Sequence, residues 1–188
     1  IDIVRLLLDN GADVNIKDNI NDSALTLAAE SGHTDTVRLL LTRGAEINYT
    51  TDDGRTALTE AAYLGEPSLV KLLLERGANV NHREDDYSKW TALEIAVEGE
   101  HAPTVLVLLA YINDISDLER ALEGVSGREE IRQAIQARID ELKKNENTQA
   151  EASGAERGSS SHDDGSRGGS SGGSESSKGK KRKLEEMS

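Results

Sequence analysis

A regular internal repeat constrains the fold of this chain more than any other feature. The pentapeptide Gly-Ala-Asp-Val-Asn begins at Gly11, and related pentapeptides begin at the equally spaced positions Gly44 and Gly77. A run of three leucines starts five residues before each of these glycines. Self-similarity with a fixed period of about 20–50 residues is typical of chains that stack identical structural units. We therefore predict an array of stacked repeats.

One period predicts two helices joined by a turn and followed by a loop. A short helix is predicted over Thr56–Leu64 and is ended by Gly65. Pro67 suits the first turn of a second helix, because the N–H that proline lacks would be unpaired there anyway. Apolar residues over Leu69–Leu74 give this second helix a buried stripe. Gly77 supplies the left-handed residue that ends it.

This order of elements resembles the ankyrin repeat. The residues that carry the resemblance are Asp53-Gly54-Arg55-Thr56-Ala57-Leu58, Leu27-Ala28-Ala29, Gly32-His33 and the recurring Gly-Ala-Asp-Val-Asn. The resemblance implies an all-α ankyrin-repeat solenoid over residues 1–112. Its expected units are a partial repeat at 1–18 and three repeats at 19–50, 51–84 and 85–112.

The last repeat departs from this pattern. Two extra residues fall between Glu84 and Trp90, in a polar stretch that indicates a loop insertion. Glu100 stands where the turn glycine would recur, and Ile112 stands where Gly77 would recur. We therefore expect a degenerate third repeat with an enlarged loop.

Two further helices are predicted after the repeats, over residues 113–146. Ser116 or Asp117 is expected to cap the first, which ends near Gly124. The second carries apolar residues over Ile131–Leu142 at helical spacing, opposite a charged face. We interpret the pair as a C-terminal cap on the array. A separate helical interaction motif is the alternative.

Residues 147–188 have the composition of a disordered tail. Glycine and serine supply nearly half of this segment, so it lacks the apolar surface that would offset its ordering entropy. Four consecutive bases near its end resemble a nuclear import signal, for which an importin would be the partner. They are Lys180, Lys181, Arg182 and Lys183. A solvated basic run and weak, non-specific contact with nucleic acid are the alternatives.

The net charge of −13 resides entirely in residues 1–146, which hold 28 acidic and 15 basic side chains. An acidic body repels a phosphate backbone, so we do not expect the repeats to bind nucleic acid. Cysteine is absent and the four histidines lack metal-ligand spacing, so we expect no metal, cofactor or catalytic site. No apolar stretch suits a transmembrane helix. We expect an intracellular protein, in the nucleus, the cytoplasm or both.

The resemblance also assigns a binding groove, because the first helices and loop tips of ankyrin arrays line a concave surface that meets partner proteins. The positions carried over by register are Asn19, Ile20, Asp22, Glu30, Ser31, Asp52, Asp53, Arg55, Tyr63, Leu64, Asp85, Asp86, Tyr87, Lys89, Trp90 and Glu98. Exposed aromatics are common interface anchors, and the surrounding acids favour a basic, partly apolar partner. The alternative is that Trp90 packs on its own loop and the acids are ordinary solvated surface.

We therefore predict a non-catalytic protein–protein interaction module without membrane contact. One alternative is the substrate-recruiting region of a larger enzyme, such as a ligase, kinase or hydrolase, with its catalytic domain upstream. Ile1 aligns with Thr34, inside a repeat, so we expect further repeats or another domain upstream. Another alternative is a nuclear regulator of a transcription factor, whose basic DNA-binding segment would suit the acidic groove.

Overall fold

The computed structural model describes the backbone of residues 1–84 and 89–157, and the side chains of this part as far as residue 149. Within these ranges the chain forms nine α-helices, no strand and two isolated β-bridges, which confirms the predicted all-α solenoid. The helices are α1 (Asp2–Asp9), α2 (Ala24–Glu30), α3 (Thr34–Thr42), α4 (Ala57–Leu64), α5 (Pro67–Glu75), α6 (Ala92–Glu98), α7 (Ala102–Leu109), α8 (Ile115–Glu123) and α9 (Glu129–Arg157).

The first helix of each full repeat begins with the same capping box. In α2 the Ser23 hydroxyl accepts a hydrogen bond from the Thr26 backbone N–H at 3.1 Å, and the Thr26 hydroxyl accepts one from the Ser23 N–H at 3.0 Å. Thr56 with Thr59, and Thr91 with Glu94, form the equivalent boxes in α4 and α6. Two otherwise unpaired backbone donors are satisfied in each box, so each helix starts at the same register position.

A left-handed residue separates the two helices of each repeat. Gly32 and Gly65 have φ of 67° and 74°, and a Cβ at Gly65 would collide with the ring of His101. Glu100 occupies the same position in the third repeat and has φ of 58°. The third repeat therefore keeps the turn geometry without the glycine, at the conformational cost of a left-handed residue that carries a side chain.

The core consists of leucines that recur with the repeat. Leu40, Leu73 and Leu108 stand in the same register of α3, α5 and α7, and all three are buried. Helix α2 packs on α3 and α4, and α4 packs on α5 and α6, so each first helix contacts its own partner and the next repeat. Leu7 holds the same register in α1 but is 56% exposed. The described part of the chain leaves that side of α1 uncovered.

Asparagines in the loops join neighbouring repeats. The side-chain amide of Asn15 donates to the carbonyl of Gly44 at 3.3 Å, and its Oδ1 accepts from the Glu46 N–H at 2.9 Å. Asn48 makes the same two bonds to the next repeat, at 3.3 and 2.8 Å. The loops therefore hold successive repeats at a fixed distance from one another.

Helices α8 and α9 pack on α6 and α7 at the end of the array. The N-cap of α8 is Asp114, whose carboxylate accepts a hydrogen bond from the Ser116 N–H at 2.9 Å, so the expected cap at Ser116 or Asp117 is wrong. Asp114 lies just before the apolar register begins at Ile115 and can therefore bond to the free N–H groups of the first turn. In α9, Ile131 and Ile135 are buried.

Helix α9 continues past the predicted end of the cap at residue 146 to Arg157. Its sequence contains no glycine, proline or serine between Gly127 and Ser153, so nothing in that stretch interrupts a helix. The average composition of residues 147–188 obscured this, because the glycine and serine residues begin only at Ser153. Residues 158–188, with the predicted import signal, lie outside the described residues. None of the described helices has the length and apolar character needed to cross a bilayer.

Candidate functional site

Three short hairpins place one residue from each repeat in equivalent positions. Each hairpin is closed by one backbone hydrogen bond, from Asp18 to Asp22 at 3.0 Å, from Thr51 to Arg55 at 2.9 Å, and from Glu84 to Trp90 at 3.1 Å. The third hairpin closes in the same way despite its two extra residues, because the insertion lies within the loop. Asp22, Arg55 and Trp90 therefore stand side by side along the array.

The hairpin tips are anchored by side chains from the loop that follows. The Tyr49 hydroxyl donates to the carbonyl of Asn21 at 2.7 Å. In the next repeat, Nε2 of His82 lies 2.7 Å from the carbonyl of Gly54, so the ring must donate through that nitrogen. Asn21 and Gly54 both have positive φ, which turns these carbonyls toward their donors. The sequence did not reveal these two anchors, because the residues that donate to the hairpin carbonyls differ between repeats: one is a tyrosine and the other a histidine.

Six of the predicted residues line one cavity between the first two hairpins. We call it the hairpin cavity; its volume is about 420 Å³. Its lining residues are Asn19, Ile20, Asp22, Thr51, Asp52, Asp53 and Arg55. The Asn21 amide donates to the Asp52 carboxylate at 2.7 Å and so ties the two hairpins together. Three of its seven lining residues are carboxylates, and Arg55 is the one base among them.

Three more predicted residues line a second cavity of about 500 Å³, which we call the aromatic cavity. Its lining residues are Tyr63, Glu84, Trp90, Ile95, Glu98, Gly99 and His101. Tyr63 is 77% exposed and Trp90 is 38% exposed, so both rings can be reached by a partner. His101 binds the carbonyl of Tyr63 through Nε2 at 3.1 Å, which joins the turn of the third repeat to the end of α4.

Within the described part of the chain, the remaining predicted residues line neither cavity. Lys89 lines a third depression, of about 310 Å³, on the other side of Trp90. Leu64 is half-exposed, and its side chain leans over Gly32, while Glu30 and Ser31 are exposed at the end of α2. Asp85, Asp86 and Tyr87 lie outside the described residues, so their place in the predicted groove stays a prediction.

Glu60 is a component of the site that sequence reasoning missed. It lies on α4 in the register of Leu27 and Ile95, and only 7% of its surface is exposed. Arg55 Nη1 donates to Glu60 Oε1 at 2.7 Å. Burial raises the pKa of Glu60, Arg55 opposes this, and the nearby carboxylates of Glu30, Glu84 and Asp22 raise it further. The sequence did carry a signal for this residue, because a carboxylate stands at a register position that is apolar in the neighbouring repeats.

Asp22 and Glu60 are both influenced by neighbouring carboxylates and by Arg55, which lowers the pKa of each. Burial and the charge of Asp18 raise the pKa of Asp22, and Glu30 and Asp53 add to this shift. Arg55 also pairs with Asp53 at 3.3 Å. We call the group the acidic cluster; its members are Asp18, Asp22, Glu30, Asp53, Glu60 and Glu84. Glu84 also lines the aromatic cavity, so the acidic cluster adjoins the aromatic rings.

The described residues contain no group of three histidine, aspartate or glutamate side chains that could hold a metal ion. His82 bonds to the carbonyl of Gly54 in its own repeat, and His101 bonds to the carbonyl of Tyr63 in the preceding repeat. The chemistry that the site offers is contact by aromatic rings and carboxylates.

Stacked helix pairs with hairpins that line one surface define a helical-repeat solenoid. A family model described as ankyrin repeats (3 copies) matches residues 1–84 and, in an overlapping match, residues 51–119. The two matches together cover more than half of the chain, which belongs to the ankyrin-repeat family. Ankyrin repeats are generally protein–protein interaction modules and are typically non-catalytic. The comparison with curated proteins found no similar sequence.

Proposed function

We propose that the hairpin cavity and the aromatic cavity together form a groove that binds a basic, partly apolar segment of another protein. The observation that carries the proposal is that acidic residues adjoin the aromatic cavity at Glu84. This residue belongs to the acidic cluster and also lines the cavity that holds Tyr63 and Trp90. A partner segment can therefore place a cationic side chain and an apolar side chain within one short stretch.

The aromatic rings supply the apolar part of this recognition. Tyrosine and tryptophan are enriched at interface hot spots because they bury a large area with few rotatable bonds. Ile95 and Glu98 line the same cavity as Trp90. Such a cavity accepts an aliphatic side chain against the rings, with a positive charge at its edge.

The acidic cluster supplies the charge part. Within the described part of the chain, no basic side chain forms an ion pair with Asp22, Glu30 or Asp52. Their negative potential is therefore available to an incoming base and accelerates its association. Since exposed charges are screened by salt, we expect binding to weaken as ionic strength rises.

The groove is organised before a partner arrives. Each hairpin is closed by its backbone bond, and the first two tips are held by Tyr49 and His82. A preformed surface loses little conformational entropy on binding, so modest contacts suffice for a useful affinity.

The experiment is a peptide array probed with the intact chain, with a folded Tyr63→Ala/Trp90→Ala variant and with a control variant. The array contains segments rich in lysine, arginine and leucine, together with matched acidic and polar segments. The control is Leu106→Ala/Tyr111→Ala, which removes exposed apolar side chains outside both cavities. We expect basic, partly apolar segments to bind the intact chain and the control, and to lose at least tenfold in affinity for the groove variant. Equal binding by all three proteins would refute the proposal.

We propose in addition that Lys180, Lys181, Arg182 and Lys183 direct import into the nucleus. The support is the sequence alone: four consecutive bases that suit the acidic groove of an importin. Replacement of all four by alanine in a fluorescent fusion of the full chain should abolish nuclear accumulation. Accumulation equal to that of the unchanged fusion would remove this proposal and leave the groove proposal unaffected.

A further inference from the structure

We propose that the basic run over residues 178–183 docks in the groove of its own molecule and competes there with the partner. This inference rests on the proposed function, because it assigns an internal competitor to the same groove. The occupant is a named segment of the chain whose chemistry matches the partner class. The consequence is a binding module whose availability depends on displacement of its own tail.

Charge complementarity is the first argument. The run consists of bases apart from one glycine: Lys178, Lys180, Lys181, Arg182 and Lys183. Asp22, Asp52 and Asp53 line the hairpin cavity, where Arg55 is the one base, and Glu84 and Glu98 line the aromatic cavity. Residues 1–146 carry the whole net charge of −13, so the run is attracted toward the array even before it reaches the groove.

The length of chain between the two parts is the second argument. Helix α9 ends at Arg157, and the segment 158–177 separates it from Lys178. Three quarters of this segment is glycine or serine. A chain of this composition and length has a root-mean-square span of about 25 Å, which is on the scale of one small domain. The run is therefore long enough to reach the groove and short enough to stay near it.

The course of α9 is the third argument. Glu146 lines a surface depression together with Asn81 and Asn113, which lie in the loops before and after the third repeat. Lys143 pairs with Glu119 of α8 at 3.0 Å, which fixes this part of α9 against the cap. The helix therefore carries the chain toward the loop side of the array, the side on which the hairpins stand.

A tethered competitor needs only weak intrinsic affinity. Short flexible linkers give effective concentrations of about 1 mM, so a run with an intrinsic Kd of about 0.1 mM would lower the apparent affinity for a partner about tenfold. Weak, salt-sensitive binding of this order is what a few exposed charge contacts provide. The proposal therefore does not require high intrinsic affinity between the basic run and the groove.

The chain offers a direct test, because Trp90 is its one tryptophan and it contains no cysteine. A Ser188→Cys variant of the full chain takes a single label that accepts tryptophan emission. We expect energy transfer from Trp90 to fall at least twofold as ionic strength rises from about 0.02 M to about 0.5 M, because docked charges are released by screening. Transfer that is low at all salt concentrations would overturn the proposal.

Variants of the labelled chain identify the contacting charges. Replacing Lys180, Lys181, Arg182 and Lys183 with glutamine should abolish the salt-dependent transfer, and so should Asp22→Asn/Glu30→Gln/Asp52→Asn. The matched control, Asp35→Asn/Glu75→Gln/Glu130→Gln, removes three exposed acids outside the groove and should retain the signal. Loss of transfer in the control as well would mean that net charge alone attracts the tail, and would overturn docking in the groove. Transfer that rises with protein concentration would place the tail of a second copy there and would also overturn it.

A second measurement separates this proposal from the proposed function. A labelled synthetic peptide of residues 174–188 is titrated with the full chain and with the full chain whose four consecutive bases are glutamine. We expect the glutamine variant to bind the peptide about tenfold more tightly, since its groove is free. Equal, measurable binding by both proteins would support the groove proposal and would overturn the proposal that the tail competes for it. Absence of binding by both would overturn the competitor, while the peptide array tests the groove independently.

Discussion

Arg55 Nη1 lies 2.7 Å from Oε1 of Glu60, a carboxylate on the first helix of the second repeat with only 7% of its surface exposed. The equivalent residues of the neighbouring repeats are Leu27 and Ile95, so the charge stands in an otherwise apolar row. Arg55 comes from the hairpin and Glu60 from the helix. The pair therefore joins the wall of the hairpin cavity to the inner face of the array.

We expect Glu60→Gln to change how stability depends on pH. Burial holds the pKa of Glu60 above 4.5, the ordinary value of a glutamate, so the folded chain takes up this proton more readily than the unfolded chain. Glu60 therefore adds stability that is fully present below pH 4.5 and is lost as the pH rises through its folded pKa. The free energy of unfolding of Glu60→Gln, measured in urea, should increase relative to that of the unchanged chain as the pH rises from 4.5 toward neutrality.

The control is Glu75→Gln, which removes an exposed carboxylate from α5 and should leave that pH dependence in place. A constant difference between Glu60→Gln and the unchanged chain over this range would mean that the carboxylate of Glu60 is not desolvated in the folded state.

Glu100→Gly should stabilise the chain. Glu100 has φ of 58° in the turn where Gly32 and Gly65 stand, and a left-handed residue with a side chain costs about 1 kcal/mol or more. The ion pair of Glu100 with Arg128, at 3.1 Å, is exposed and contributes at most about 1 kcal/mol. Glu100→Ala loses that pair and keeps the strained backbone. In chemical denaturation, the free energy of unfolding of Glu100→Gly should therefore exceed that of Glu100→Ala by about 1 kcal/mol. The reverse order would disprove the turn geometry.

Leu73→Ala should cost roughly 2–5 kcal/mol, because the side chain is fully buried and its loss leaves a cavity. Leu106→Ala is the matched control, since Leu106 lies on α7 with 57% of its surface exposed. It should cost less than about 0.5 kcal/mol, as surface substitutions usually do. Thermal and urea unfolding measure both. Similar losses at the two sites would show that the register of the second helices is wrong.

Asn48→Ala should loosen the contact between repeats. Its side chain bonds to Gly77 and Asn79 of the next repeat, and two such bonds contribute about 1–3 kcal/mol together. Asn81 stands in the same register, but within the described residues its side chain makes no hydrogen bond to the following segment. Asn81→Ala should therefore cost distinctly less in urea unfolding. Equal costs would mean that the bonds of Asn48 add nothing.

The repeat, its helices and its turns were predictable because they depend on periodic residues. Leu73, Gly65 and Pro67 all stand where the register of the repeat places them. Only some of the predicted groove residues line a common cavity. The lining of a cavity depends on the positions of the hairpins, which the repeat period does not specify. The tips of the first two hairpins are held by Tyr49 and His82, two chemically different side chains at one register position. Periodicity cannot identify contacts that are made by dissimilar residues.

The burial and pairing of Glu60 were not predicted for a related reason. Glu60 breaks the apolar pattern of its row, and the sequence does not state whether such a residue is exposed or paired. Its partner Arg55 was assigned to the groove for its position alone. The end of α9 at Arg157 was missed because an average over the whole tail concealed a short stretch without helix breakers.

The uncovered side of α1 has a consequence for how the array opens. In a linear stack each unit is stabilised by its nearest neighbours, so cooperativity runs along one dimension. Helix α1 contacts neighbours on one side within the described chain, whereas α4 is enclosed by α2, α5 and α6. Amide hydrogen exchange should therefore proceed inward as a front, fastest in α1 and slowest around Leu58 and Leu73. The groove is built on the full repeats, which open later than α1. It therefore keeps its shape while the first turns of the array fray.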